Sequence, residues 1–407
     1  MSRITSFNDM LASLIERGAR LVDWSPGERP LGALCAELLS TRGEASGVAM
    51  AAEILTRFAA MEPAERRAFF DMLADGFDVE AARVTSAATR YQTEPSAEAL
   101  ADLVAAAEPR RQELFRRLNF APGGTEALVE MRASLLEMLP DAPELARVDA
   151  DFRHLLASWF NRGFLVLQPI DWRTPAHILE KIIAYEAVHQ IDTWEELRRR
   201  LEPADRRCFA FFHPAMPDEP LVFVEVALSA EIPASIQAVL APDRPVVPPE
   251  EASTAVFYSI SNCQRGLNGI SFGAFLIKQV AQDLASAHPG LRTFVTLSPV
   301  PGFARWLGDR EPSLAEAAAY LITAKRADGQ PLDPVARFHL GNGAQLARLN
   351  WMGDRSAKGL AEAHGLMVNY LYDLDQVEAR HEDYAARRTV HAAWAVRALV
   401  QQKSEPA

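Results

Sequence analysis

Up to about residue 160 the apolar residues recur with the period of a helix. In the segment 50–61, Ile54, Leu55, Phe58 and Met61 fall on one face. Pro63 suits the first turn of a following helix, with Phe69, Phe70 and Leu73 in register. Ser96 is a fitting N-cap ahead of Leu100, Leu103 and Val104, and Pro109 opens a helix with Leu114, Phe115 and Leu118. After the break at Pro122-Gly123-Gly124, Thr125 is placed to cap a helix holding Leu128, Met131, Leu135 and Leu136. Alanine is plentiful and β-branched residues are few, so residues 1–160 are predicted to form an all-α bundle. The pattern then changes. Stretches 209–212, 221–228 (LVFVEVAL), 255–261 (AVFYSIS), 293–298, 345–351 and 366–372 read as strands. Helices are predicted between them over 273–286, 313–325 and 356–364, whereas three prolines forbid one in 213–220. Residues 161–407 therefore read as a mixed α/β domain, and the whole chain as a two-domain α+β protein. The recurring Glu-Pro-Ala-x-Arg-Arg at 62–67 and 202–207 reads as two helix starts.

Composition adds mainly exclusions. With 407 residues, 49% of them hydrophobic and 24% charged, the chain is long enough for two cores, and neither disorder nor a fibrous repeat is expected. Subtracting 54 acidic from 42 basic side chains leaves −12, so nothing drives the surface onto nucleic acid or an anionic membrane. A polyanionic ligand needs a local pocket instead. Cys35, Cys208 and Cys263 include no CxxC pair, which fits reduced thiols and argues against a zinc site. Near the N-terminus, Leu11, Leu14 and Ile15 are followed at once by Glu16, Arg17 and Arg20, so neither a secretory signal nor a membrane span is read there. The C-terminal residues carry no peroxisomal or retention tripeptide, and a cytoplasmic location is expected.

Chemistry concentrates in the second half. In 258–278 a strand runs through a loop with Gly266, Gly269 and Gly273 into a helix. Glycines let a backbone approach a phosphate, and unpaired N–H groups at a helix start attract it. Neither GxxxxGK[ST] nor GxGxxG is present, and such a turn is more often plain architecture. Arg265 and Lys278 supply nearby cations, or simply solvated surface charge. Ser298, in LSPVPGF, leaves a buried strand at its C-terminal end, a common place for reactive groups, although an isolated Ser-Pro often serves only its own turn. No GxSxG surrounds it, so an ordinary serine hydrolase is not indicated. His339, in ARFHLGNGA, ends an apolar segment just before a Gly-Asn-Gly turn that could aim its ring into a cleft. The bland readings go elsewhere: His364 at a helix end, His177 and His189 on helix surfaces, and His381 without the second histidine of a zinc site. Glu225 and Asp373 form no convincing carboxylate pair.

Five blocks carry a more specific signal: FYSISNCQRGLNGISFGAFLIK (257–278), LSPVPGF (297–303), ARFHLGNGA (336–344), LNWMGDRSAKG (349–359) and GLMVNYLYDL (365–374). In order and approximate spacing they resemble the malonyl-CoA decarboxylase family. The resemblance implies a helical N-terminal domain used in assembly, a homo-oligomer expected to be a tetramer, and a catalytic domain of the GNAT acetyltransferase fold. It implies malonyl-CoA as substrate, acetyl-CoA as product, and no separate cofactor or metal, coenzyme A being part of the substrate. Carried over by motif, Ser298 and His339 are catalytic, Tyr372 lies near them, and Asn268, Gly269, Ile270, Ser271, Phe272, Gly273 and Ala274 contact coenzyme A. Where this chain has Ser271 the animal enzymes carry a glutamate, so no carboxylate role transfers to that position. Two rival readings remain beside it: a GNAT-type acyltransferase, and a non-enzymatic acyl-CoA-binding regulatory module.

Overall fold

The computed structural model describes residues 29–40, 44–270 and 273–404. They divide into two compact units, the first running to Phe164 and also taking in 214–216 and 264–270, the second made of the remainder.

The first unit is helical: α1 (Leu31–Leu38), α2 (Glu44–Ala59), α3 (Pro63–Gly76), α4 (Ala81–Thr93), α5 (Ala97–Ala107), α6 (Arg110–Leu118), α7 (Gly124–Met138) and α8 (Ala146–Trp159). Local sequence fixes several of the helix starts. Pro63 opens α3, with Glu62 and Glu65 bonding each other's backbone N–H groups. Ser96 Oγ accepts the Ala99 N–H at 3.0 Å and caps α5. Helix α7 departs from expectation. Gly123 precedes it in the left-handed region at φ 69°, and the Thr125 hydroxyl donates to Asn119 Oδ1 at 2.8 Å instead of capping. Apolar faces then meet as patterned: Phe58 packs against Phe69 and Phe70, and Phe115 stacks on Phe152 with centroids 4.1 Å apart.

Segment 264–270 joins this unit through close backbone contact. A Cβ on Gly266 would lie 1.8 Å from the Val129 carbonyl oxygen, so only glycine lets the loop rest against α7. Arg132, buried, donates from Nη1 to the Gly266 carbonyl at 2.6 Å and from Nε to Asp149 at 2.8 Å.

The second unit is built on a mixed sheet in the order β1-β2-β3-β4-β5-β8-β6, with β7 paired to β8 off that path. Its strands are β1 (Val166–Ile170), β2 (Arg206–Phe212), β3 (Val222–Ser229), β4 (Thr254–Asn262), β5 (Thr293–Thr296), β6 (Ser298–Pro299), β7 (Gln345–Asn350) and β8 (Met367–Leu371). Among the strand pairs of the described residues, only β4–β5 is parallel. Side chains alternate across the sheet, so Val222, Val224, Val226 and Leu228 enter one core while Phe223 and Ala227 enter others. The first face is covered by α12 (Gly273–Ala287), α13 (Phe303–Leu307), α14 (Leu314–Ile322), α15 (Pro334–Gly341), α16 (Ala357–Ala363), α17 (Val377–Arg387) and α18 (Trp394–Ser404). Helices α9 (Ala176–Tyr185), α10 (Trp194–Leu201) and α11 (Ile236–Leu240) cover the other. A helical unit followed by a mixed α/β unit is the architecture the periodicity predicts. The order β4, loop, α12, β5 is the strand–loop–helix–strand core of the GNAT-like expectation.

Two local readings are corrected. The second Glu-Pro-Ala-x-Arg-Arg ends a helix: α10 closes at Leu201 and Arg206 already belongs to β2. The single strand expected over 293–298 is two strands parted at Leu297, because β5 pairs with β4 whereas Ser298 and Pro299 pair only with β8.

Seating of the 264–270 loop has a direct check. Gly266→Ala is expected to lower stability by about 1–3 kcal/mol, the usual cost of forcing atoms into a filled space. An unchanged melting temperature would show that the loop does not rest on α7.

Candidate active site

Three elements converge on His339. Asp333 caps α15 by accepting the Ala336 N–H at 2.8 Å, and Pro334 occupies its first position. The helix stops just beyond His339 because Gly343 turns the chain at φ 82°, where a Cβ would lie 1.9 Å from the Val377 carbonyl oxygen. His339 therefore sits in the last turn of a helix, directly before the Gly-Asn-Gly turn. From the sheet, the two-residue alternation of β8 sends Tyr370 and Tyr372 into the core that also holds α15. From β6, Ser298 completes the group.

The contacts are short and neutral. Ser298 Oγ lies 3.0 Å from His339 Nε2, and the Tyr372 hydroxyl lies 2.9 Å from Nδ1. The Tyr370 ring stacks on the imidazole at 4.6 Å, with 25° between planes. His339 is 2% exposed, and burial pushes its pKa down to about 3, so the ring is uncharged near neutrality. Burial pushes the Tyr372 phenol the other way, well above its ordinary range, and keeps it protonated. A neutral imidazole has one N–H to place. Ser298 Oγ donates to Thr296 Oγ1 at 2.8 Å, so Ser298 accepts from Nε2–H, and Nδ1 accepts from Tyr372. The three residues singled out in the sequence, Ser298, His339 and Tyr372, thus form one hydrogen-bonded chain.

Beside it lies a cavity of ≈ 240 Å³. Ser298, His339, Tyr258 and Asn262 line it together with valine, isoleucine, proline and phenylalanine residues. Among the described residues that line it, none is charged. A second cavity, of ≈ 250 Å³, is lined by Arg199, Arg200, Arg206 and Arg244, but three of these already face Glu225 or Asp205.

Other candidates fall elsewhere. Asn268, Gly269 and Ile270 belong to the first unit, with Gly269 at φ 77° and open space where a Cβ would be. Ser271 and Phe272 lie outside the described residues, and Gly273 and Ala274 open α12. Arg265 pairs with Glu137 at 2.7 Å and Lys278 with Glu378 at 2.8 Å, so both cations have carboxylate partners. His364 does end a helix, as C-cap of α16 in the left-handed conformation. His189 is not on a helix surface. It follows α9, and burial together with nearby Arg200 lowers its pKa to about 4. Glu225 is fully buried and bonded to Arg200 at 3.0 Å, with burial raising its pKa to about 7. Sequence reasoning missed Thr296 and Tyr370, although alternation in VNYLY was a usable signal for the latter.

Burial of neutral His339 makes stability depend on pH. The folded pKa of about 3 lies below the ordinary 6.5, so the unfolded chain binds the extra proton between those values. Stability is then full above pH 6.5 and falls as the solution is acidified toward pH 3. Between pH 7.5 and 5.0 this one group costs roughly 2 kcal/mol. His339→Gln is expected to lose that much less than the parent protein over the same interval in urea denaturation. Equal losses would show that His339 is not held neutral by the fold.

The chain matches known proteins along most of its length. The model of the malonyl-CoA decarboxylase N-terminal domain matches residues 77–160, and that of the C-terminal domain matches 163–317 and 310–407. The crystal structure of malonyl-CoA decarboxylase from Agrobacterium vitis is 56% identical, covers 91% of this chain and 99% of its own, and superposes with a TM-score of 0.87. The corresponding structure from Rhodopseudomonas palustris is 52% identical, with coverage of 90% and 98% and a TM-score of 0.86. Mitochondrial malonyl-CoA decarboxylase from Rattus norvegicus is 34% identical over 84% of this chain and 83% of its own length. With both domains matched in order and the bacterial and rat enzymes aligning along most of it, the chain belongs to the malonyl-CoA decarboxylase family.

Proposed function

We propose that this protein is a carboxy-lyase that converts malonyl-CoA to acetyl-CoA and carbon dioxide, with Ser298, His339 and Tyr372 as its reaction centre. The observation that carries the site assignment is the 3.0 Å contact between Ser298 Oγ and His339 Nε2 at the wall of an uncharged cavity. Loss of CO₂ leaves an electron pair that the thioester carbonyl accepts as an enolate, so the substrate is its own electron sink and no separate cofactor is required. A carboxylate entering this cavity sheds water without gaining a countercharge, which favours its departure as neutral CO₂. Each turnover then needs one proton from solvent to reach the α-carbon. The incoming negative charge raises the proton affinity of the neutral His339 ring, whose unprotonated Nδ1 takes up a proton from solvent. The Nε2 proton passes to the enolate through Ser298, and the ring, left protonated at Nδ1, exchanges back to the Nε2–H form before the next turnover. Tyr372 keeps its bond to Nδ1 in both states, because its hydroxyl oxygen accepts as well as donates.

The coenzyme A phosphates are assigned to the turn from Asn268 to Ala274. Support comes from its glycines, from the left-handed Gly269 and from the helix start that follows. Three free, buried thiols agree with a reducing, cytoplasmic setting. Self-association as a tetramer through the helical unit is supported by Leu100 and Val104, one turn apart on α5 and respectively 44% and 60% exposed.

Purified protein given malonyl-CoA and no acceptor is expected to release CO₂ and acetyl-CoA, with deuterium entering the methyl group in D₂O. An acyltransferase would turn over little without an amine, and a binding module not at all. His339→Ala and His339→Asn should lower kcat by about two to four orders of magnitude with coenzyme A affinity nearly unchanged. Ser298→Ala should slow turnover and raise KM if the hydroxyl grips the carboxylate. Near-native turnover in both single variants would remove the site assignment.

For the assembly, sedimentation should show a tetramer that a Leu100→Asp, Val104→Asp double variant shifts to smaller mass. A monomeric parent protein at micromolar concentration would overturn this.

A further inference from the structure

The hydrogen-bonded chain does not end at Ser298. Thr296, fully buried on β5, holds its side-chain oxygen 2.8 Å from Ser298 Oγ. That oxygen is itself fixed in place, because the Tyr370 N–H donates to it at 3.1 Å. The Thr296 carbonyl is held as well, accepting from Asn369 Nδ2 at 2.7 Å. Threonine 296 is thus a rigid partner attached to a serine whose proton has to move.

In the resting site the Ser298 proton points at Thr296, which leaves Ser298 free to accept from His339 Nε2–H. A substrate oxygen arriving in the cavity is an acceptor, so the serine proton must swing toward it. Ser298 keeps its Nε2–H donor as its own proton leaves Thr296, and the Thr296 hydroxyl can turn from acceptor to donor without moving. Without the hydroxyl, the only acceptor left to the serine proton among its present partners is Nε2. The ring proton would then be forced to Nδ1, the tautomer that cannot pass a proton to Ser298.

We propose that Thr296 is a positioning residue for the decarboxylation: its hydroxyl holds the Ser298 proton at rest, fixes the Nε2–H tautomer of His339, and releases the serine to the substrate. The inference rests on the reading that Ser298 and His339 act in turnover.

The test has three arms. Nitrogen-15 labelling of histidine in the parent protein should show His339 as the Nε2–H tautomer, and an Nδ1–H signal there would overturn the proposal whatever any variant does. Thr296→Val should move the signal to Nδ1–H and lower kcat by about two orders of magnitude, with KM nearly unchanged. Thr296→Ser, which keeps the hydroxyl, should restore both the tautomer and most of the turnover. If Thr296→Val keeps parental kcat while Ser298→Ala is slow, the role of Thr296 is wrong and the reading of Ser298 stands. If Ser298→Ala and His339→Asn are also fast, that reading itself fails. Should Thr296→Val not fold, a Thr296→Ser variant with turnover still depressed a hundredfold overturns the proposal alone.

Discussion

Everything around the site follows from one constraint: an imidazole sealed from water must stay neutral and still have both nitrogens satisfied. A charged neighbour would draw the ring toward ionisation at the expense of burial, so the surroundings are hydroxyls and an aromatic face. Tyr372 serves Nδ1, Ser298 serves Nε2, and Tyr370 covers the plane. These groups come from β8, β6 and α15, which are far apart along the chain and adjacent only because β8 lies between β5 and β6. The sheet order is what brings the chemistry together. Gly343 does the rest, since it lets α15 end against Val377 with His339 facing the sheet.

The buried ion pairs Arg200–Glu225 and Asp205 with Arg206 and Arg244 lie on the other side of the sheet. Cys208, Glu225 and Ser259 form one cross-strand row of β2, β3 and β4. Glu225 meets Arg200 there, and Ser259 donates to the buried Glu186 at 2.7 Å. Asp205 gathers Arg206 and Arg244 at the start of β2. The opposite face, which holds Val224, Val226, Tyr370 and Tyr372, carries hydroxyls and the buried carboxyl of Asp333, held by the Ala336 N–H and the Tyr320 hydroxyl and pushed by burial to a pKa of about 6. Burying ionised pairs costs desolvation that their attraction only partly offsets. With those pairs on the far side, burial is what lowers the pKa of His339.

Much of this was legible in the sequence because much of it is local. Helical periodicity named the faces that Phe58, Phe69, Phe115 and Leu128 bury, and alternation found β3, β4 and β8. Proline and serine at helix starts did their ordinary work at Pro63 and Ser96. Failures occurred where distant partners decide. Thr125 looks like a cap until Asn119 takes its hydroxyl. Arg206 and Arg207 look like a first helical turn until β3 offers them a ladder. Glu225, alone among apolar neighbours in LVFVEVAL, pairs with Arg200, which nothing local names. His339 and Ser298 were findable from their motifs, whereas Thr296 was invisible because its role exists only once β5 and β6 are parted at Leu297.

The uncharged cavity also determines where binding energy must come from. An arginine facing the malonyl carboxylate would tighten substrate binding, yet it would hold the ground state more firmly than a transition state that is losing that charge. Binding of that kind lowers KM and slows the chemical step. A pocket of valine, isoleucine, proline and phenylalanine does the reverse, leaving the carboxylate poorly solvated and its release favourable. Affinity must then be supplied by the part of the substrate that does not react. Coenzyme A offers a long polar handle for this, and its phosphates can be gripped well away from the reacting carbon. On the proposed assignment of the phosphates to residues 268–274, a phosphate-binding turn and an uncharged reaction cavity are complementary requirements. Strong binding at one end permits the inhospitable environment at the other, and the proposed proton relay through Ser298 can stay neutral until the substrate brings in the charge.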